Sequence, residues 1–121
     1  MSVLVIIQLK ITDASRFRLL EETFFAIRPE GLVTLAWDAA AMTVVGQPQF
    51  DHVGIAAFES REKAREFFQS PQYRNFTVMR EACATAHVQV VHSPAPFDIL
   101  SQGERFFTTK DRYPNKDVMP D

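Results

Sequence analysis

A few side chains of this 121-residue chain stand out as able to move a proton or hold an oxyanion: Tyr73, Arg80, His52, His87, His92 and Cys83. Tyr73 lies in Glu66-Phe-Phe-Gln-Ser-Pro-Gln-Tyr-Arg-Asn-Phe76, where a proline interrupts a helical pattern just before the tyrosine. A phenol, with a reference pKa of ~10, is a poor base at neutral pH but a serviceable donor to a carbonyl or enolate oxygen. Its ordinary role when buried is structural, with the hydroxyl on a backbone carbonyl. Histidines titrate near neutrality, so a base is expected among the three. His52 is preferred, because it shares strand parity with Gly54, where a missing side chain leaves room for a ligand. His92 shares parity with Val88 and Val90. Each histidine begins or ends a strand, where capping and surface roles are common. Arg80, one turn after Phe76, offers a planar fork of donors to a carboxylate or enolate, although an ion pair with a nearby acid is its ordinary use. Cys83 has no base beside it in sequence and falls on an apolar stripe, which reads as packing.

Other chemistries lack their signatures. There is no glycine-rich phosphate loop, no zinc-ligand spacing and no Gly-x-Ser-x-Gly elbow, so neither a metal nor a cofactor is expected. Lys plus Arg number 13 against 15 for Asp plus Glu, a balance that gives no footprint for nucleic acid or an anionic membrane. The single cysteine suits a cytoplasmic setting. The opening run from Ser2 to Ile11 is too short to span a bilayer and lacks the marks of a signal peptide.

The elements that must position these residues follow from periodicity. Val3, Val5, Ile7, Leu9 and Ile11 alternate with Leu4, Ile6, Gln8 and Lys10, giving a first strand with one apolar face and one partly apolar face. Thr12-Asp13 caps a helix in which Phe17, Leu20, Phe24 and Ile27 share a face. Pro29 and Gly31 end it. Leu32 to Trp37 resumes strand character and turns through Asp38-Ala-Ala into Met42 to Val45, a long bent strand or hairpin. After the Gly46-Gln-Pro48 turn, His52 to Phe58 forms the third strand. Ser60 caps a second helix from Arg61 to Gln69. Pro71 cannot continue that helix but is well placed as the first residue of a new one with Ser70 as its cap, so the axis is redirected there. In the new helix Tyr73, Phe76, Met79 and Cys83 recur every three or four residues, which turns the tyrosine inward. His87 to His92 is the fourth strand.

The resulting order, β-α-β-β-α-β, is an α+β, ferredoxin-like arrangement with helices on one face of an antiparallel sheet. It occupies residues 1–93. A single layer of helices leaves the second, partly apolar face of the sheet bare, and the simplest cover is a second copy of the chain. Residues 94–121 hold four of the seven prolines together with Phe97, Phe106, Phe107 and Tyr113. They are expected to form an arm laid over the domain or over a partner subunit.

The segment Phe58-Glu-Ser-Arg-Glu-Lys-Ala-Arg-Glu-Phe-Phe-Gln-Ser-Pro-Gln-Tyr73, with Arg80 and the strand Val88-Gln-Val-Val91, resembles the dimeric α/β-barrel family called domain of unknown function 1330. Strand one with Ile11-Thr-Asp13 and the stretch from Gly31 to Gly46 are similar to it as well. The resemblance covers roughly residues 3 to 93 and implies a ferredoxin-like protomer that dimerises through its sheets. It implies no particular activity. More distantly, the helix break is similar to that of plant polyketide cyclases built on such barrels, which carry His-Pro-x-His where this chain has Ser70-Pro71-Gln72-Tyr73. Trp37 stands where the unknown-function family commonly has an arginine, which favours an apolar or aromatic ligand.

The expected function is that of a small cofactor-independent enzyme of cyclase, isomerase or monooxygenase type, acting on an aromatic or polyketide-like molecule between helix two and the sheet. Tyr73 would polarise an oxygen and His52 would move a proton. Trp37, Phe67 and Phe76 would wall the site, with Arg80 and His92 binding substrate. The alternatives are a binding or accessory module using the same hollow, and a structural dimer with a filled core.

Overall fold

The computed structural model describes residues 2–27 and 31–102, with the side chains of residues 26 and 27 excepted. Its elements are β1 (Val3–Ile11), α1 (Ala14–Ile27), β2 (Val33–Asp38), β3 (His52–Phe58), α2 (Arg61–Phe68), α3 (Pro71–Glu81), β4 (Ala84–His92) and α4 (Phe97–Ser101). The four strands form one sheet in the order β2-β3-β1-β4, with every neighbouring pair antiparallel. This is the ferredoxin-like topology expected from the sequence. β1, the most apolar strand, is one of the two inner strands and, like β3, finds partners on both edges.

Local chemistry sets the helix boundaries. Asp13 Oδ1 accepts from the Arg16 amide at 3.1 Å and starts α1, and Ser60 Oγ accepts from the Lys63 amide at 3.1 Å and starts α2. Gly31, at φ 81°, turns the chain into β2. Ser70 answers the puzzle of the broken helix: its backbone is extended, its Oγ accepts from the Tyr73 amide at 3.2 Å, and Pro71 takes the first helical position. The expected stop at Pro29 lies outside the described residues.

Two expectations change. Residues 42–45 form no strand, and Met42, Val44 and Val45 lie open to solvent, so β2 ends at Asp38 and pairs with β3 across a long connection instead. Along α3 the inward stripe is Tyr73, Phe76, Thr77 and Arg80, and Met79 is half exposed. A period of 3.6 residues brings position i+7 back to the starting face, whereas i+6 points well away from it. Cys83 is buried, but beyond the end of the helix.

The core divides into two clusters beneath the helices. Val3, Val5, Ala56, Phe58 and Ala64 pack under α2, and Leu9, Phe17, Leu20, Cys83 and Ala84 pack under α1 and α3. Ile7 touches both. On the opposite face, Leu4, Ile6, Val53 and Ile55 stay partly exposed. Val33 and Ala57 share that face yet are buried, and α4 packs on β2 and β3 there. The chain thus covers one end of its own second face. Of the C-terminal extension, α4 is described, and the expected placement of Phe106, Phe107 and Tyr113 lies outside the described residues.

Candidate functional site in the seam of the core

A cavity of about 60 Å³ opens where the two core clusters fail to meet. Val5, Ile7 and Leu9 form its floor, while Phe24, Phe67, Phe76 and Trp37 are among the rings around it. A second hollow of about 160 Å³ adjoins it between α1 and α3, sharing Phe24, Phe67, Tyr73 and Phe76 and adding Thr23, Gln72, Asn75 and Met79. Those four rings therefore stand between an inner chamber and an outer hollow, both largely apolar.

Tyr73 is brought to both hollows. Its ring is held by Phe68 at 4.9 Å, Phe67 at 5.3 Å and Phe76 at 6.1 Å between centroids, a cage that leaves the phenol little rotational freedom. Among the described residues the hydroxyl makes no bond to a backbone carbonyl. Arg80 Nη1 donates to Tyr73 Oη at 3.1 Å, so the phenolic proton remains available to donate onward. The seven-residue spacing on one helix makes that pair, since both side chains leave α3 on the same face. Arg80 lines the inner chamber as well, and its buried Nε has no hydrogen-bond partner among the described residues. Leaving such a donor unmet costs roughly 1–3 kcal/mol, more for a charged group, and an acceptor entering the chamber would recover it. Among the described residues Arg80 makes no ion pair with an acid, its ordinary use.

Trp37 enters from the edge strand. Its ring lies over Gly54: a Cβ there would sit 2.6 Å from Trp37 Cε3, so the space freed by the glycine is filled by the indole rather than left to a ligand. Trp37 Nε1 donates to Glu21 Oε2 at 2.8 Å. Glu21, only 3% exposed, is a wall residue of the inner chamber that the sequence reading passed over. The signal was present in α1, where a carboxylate falls four residues after Phe17 and three before Phe24, in the middle of an apolar stripe.

The histidines lie elsewhere. His52 is buried behind the wall, edge-on to Phe17 at 5.0 Å and Trp37 at 6.0 Å, and is not a lining residue. Burial pushes its pKa below the usual histidine value, with the carboxylates of Asp51 and Asp38 opposing the shift. His87 is exposed on the opposite face and stacks on Phe50 at 6.2 Å. His92, exposed at the end of β4, is not brought to the cavity. Burial raises the Cys83 thiol above its usual range, with Asp13 adding to the shift, which suits packing rather than nucleophilic attack. Among the described residues no group of three or more His, Cys, Asp and Glu is placed to hold a metal ion, and no helix is long and apolar enough to cross a membrane.

Solved structures share this architecture at low identity. RPA0582 from Rhodopseudomonas palustris, a protein of unknown function, superposes in its methylated form with a TM-score of 0.63 at 15% identity, over 78% of this chain and 82% of that one. A dimeric ferredoxin-like protein of unknown function from Thermobifida fusca gives 0.57 at 11% identity, over 77% and 92%. SnoaB, a cofactor-independent oxygenase from Streptomyces nogalater, gives 0.52 at 15% identity, over 78% and 94%. No curated protein matches the chain. The family model described as Domain of unknown function (DUF1330) matches residues 2–94, more than three quarters of the sequence, and with the fold in agreement the chain belongs to that family.

Proposed function

We propose that the chain is a small enzyme that works without a cofactor, binding an aromatic or polyketide-like molecule across the two adjoining hollows at the seam and acting on it by acid–base chemistry. The observation that carries this reading is the half-buried Arg80, whose buried Nε has no partner among the described residues and whose Nη1 is coupled to the Tyr73 hydroxyl at the wall of a largely apolar chamber. Two donors held together beside a largely apolar surface are suited to an oxygen that gains negative charge during reaction, because their attraction strengthens as a bound ligand displaces water. Rings of Phe67, Phe76 and Trp37 suit a flat apolar ligand body. SnoaB supports the reading at the level of the scaffold alone, as a protein of similar fold whose oxygenase chemistry needs no cofactor.

A homodimer belongs to the same reading. Leu4, Ile6, Val53 and Ile55 offer an apolar patch beside α4 that a second copy would cover.

The test begins with the small molecule that co-purifies with the protein, identified by mass, and then compares Tyr73→Phe with the parent chain on it. Loss of the hydroxyl should lower turnover by roughly a hundredfold or more, as removal of an oxyanion donor does, with the thermal unfolding temperature retained. Unchanged turnover excludes the phenol as a donor in the reaction. One observation favours the second reading, a binding or accessory module: no histidine lines the chamber. In that case Tyr73→Phe weakens ligand binding by only about 1 kcal/mol, an ordinary hydrogen bond.

A further inference from the structure

Resting on the homodimer reading above, we propose that the loop over residues 39–50 is a clasp that closes on a second copy of the chain, with Met42, Val44 and Val45 as its contact residues. Twelve consecutive residues, Ala39 to Phe50, carry no charge. Within them Met42, Val44 and Val45 are 85%, 81% and 90% exposed. Single exposed apolar residues are ordinary on a protein surface, but three so close together on an uncharged loop make a patch. The core of a protein–protein contact has that composition, depleted in charge and enriched in methionine.

The loop is anchored at both ends, which gives the patch a defined place in the fold. Where the chain leaves β2, Asp38 Oδ1 accepts from the Ala40 amide at 2.8 Å. Where it returns, the Asp51 amide donates to the Leu9 carbonyl at 2.8 Å, and Asp51 Oδ2 accepts from the Ile11 amide at 2.9 Å. Just before that anchor, the Phe50 ring stacks on His87 with 6.2 Å between centroids. His87 is paired with Gln8, so its side chain belongs to the face of the sheet that carries Leu4, Ile6, Val53 and Ile55. The base of the loop is therefore continuous with the patch assigned above to the dimer.

That face lies between two raised borders. α4 packs on β2 and β3 at the end holding Val33 and Ala57, and Phe50 rises at the end holding Gln8 and His87. A partner broad enough to cover Ile6 and Ile55 together must come up against the loop. A second copy fits the surface, because it brings an equally uncharged loop and an equally apolar sheet face, and a two-fold axis covers both patches on both chains at once. Removal of the Met42, Val44 and Val45 side chains from water then adds to the burial of the sheet face.

The test uses the full chain over a dilution series. Sedimentation velocity gives the dimer dissociation constant, and hydrogen–deuterium exchange follows the amides of residues 39–50. The expected result is a dimer whose loop amides exchange more slowly at high concentration than after dilution to monomer. Val44→Ser together with Val45→Ser, which removes apolar surface without adding charge, should raise the dissociation constant by about tenfold or more. Val44→Glu together with Val45→Glu, which places carboxylates on both copies, should raise it further. Both positions are open to solvent in the single chain, so the helical signal should be retained. If the parent is dimeric but its loop exchanges equally fast at every concentration, or the serine pair dimerises as the parent does, the inference is overturned and the sheet-face dimer stands. If the loop gains protection only on phosphatidylcholine vesicles, its occupant is a lipid surface and the inference is likewise overturned. A parent that is monomeric throughout overturns both.

Discussion

At the scale of single residues, the site depends on what each polar group is bonded to. Tyr73 and Arg80 are bonded to each other instead of to backbone or acid, which keeps their remaining donors facing the chamber. His52 illustrates the opposite case, a titratable group folded away among rings. Its depressed pKa has a measurable consequence. Between its lowered folded value and the ordinary value of 6.5, the unfolded chain binds a proton that the folded chain does not. The contribution of His52 to stability is therefore full above about pH 6.5 and is lost as pH falls below it. Urea denaturation between about pH 8 and about pH 5 should show this decline, and His52→Phe should flatten the part of the slope that lies near the histidine range. A slope unchanged by the substitution would mean that other groups govern acid lability.

At the scale of elements, the site exists because two pieces of secondary structure are interrupted. The break at Ser70-Pro71 frees α3 to bring Tyr73 and Arg80 over the seam, where a straight continuation of α2 would carry them elsewhere. The pairing of Trp37 with Gly54 across β2 and β3 lets the indole lie against the sheet and reach Glu21. Gly54→Ala would put a methyl 2.6 Å from the ring, and the ring must then move into the chamber. Overpacking of this kind typically costs about 1–3 kcal/mol. Lower stability together with a shifted Trp37 emission is the expected outcome. An unshifted emission at parental stability would show that the indole is not confined there.

At the scale of the whole molecule, the sheet has a face built for helices and a face only partly served. α4 covers Val33 and Ala57 at one end, and Leu4, Ile6, Val53 and Ile55 remain beside it. Burial of apolar area at roughly 25 cal/mol per Å² is the driving force for a second copy to pack on this patch. Placing lysine at both Leu4 and Val53, which share this face but are not paired across β1 and β3, would set like charges across a two-fold interface without opposing them within one chain. Native mass spectrometry should find the parent dimeric at micromolar concentration and the double variant monomeric with its helical signal intact. A monomeric parent would exclude the paired-sheet arrangement.

Much of this protein is settled by its order of residues alone. Alternation places β1 from Val3 to Ile11, side-chain caps at Asp13, Ser60 and Ser70 place the helix starts, and Pro71 places the break, because each depends on neighbours within a few positions. Which polar groups share one chamber is different in kind. Glu21 and Trp37 are 16 residues apart, and the ring over Gly54 belongs to another strand, so neither contact has a local signature. Parity puts His52 and Gly54 on one side of the sheet, but whether that side is open or filled depends on where an indole from β2 comes to rest. Only the packing of α1 and α3 across the sheet, which leaves a gap at Ile7 between two clusters, decided that there is a hollow and which side chains face it.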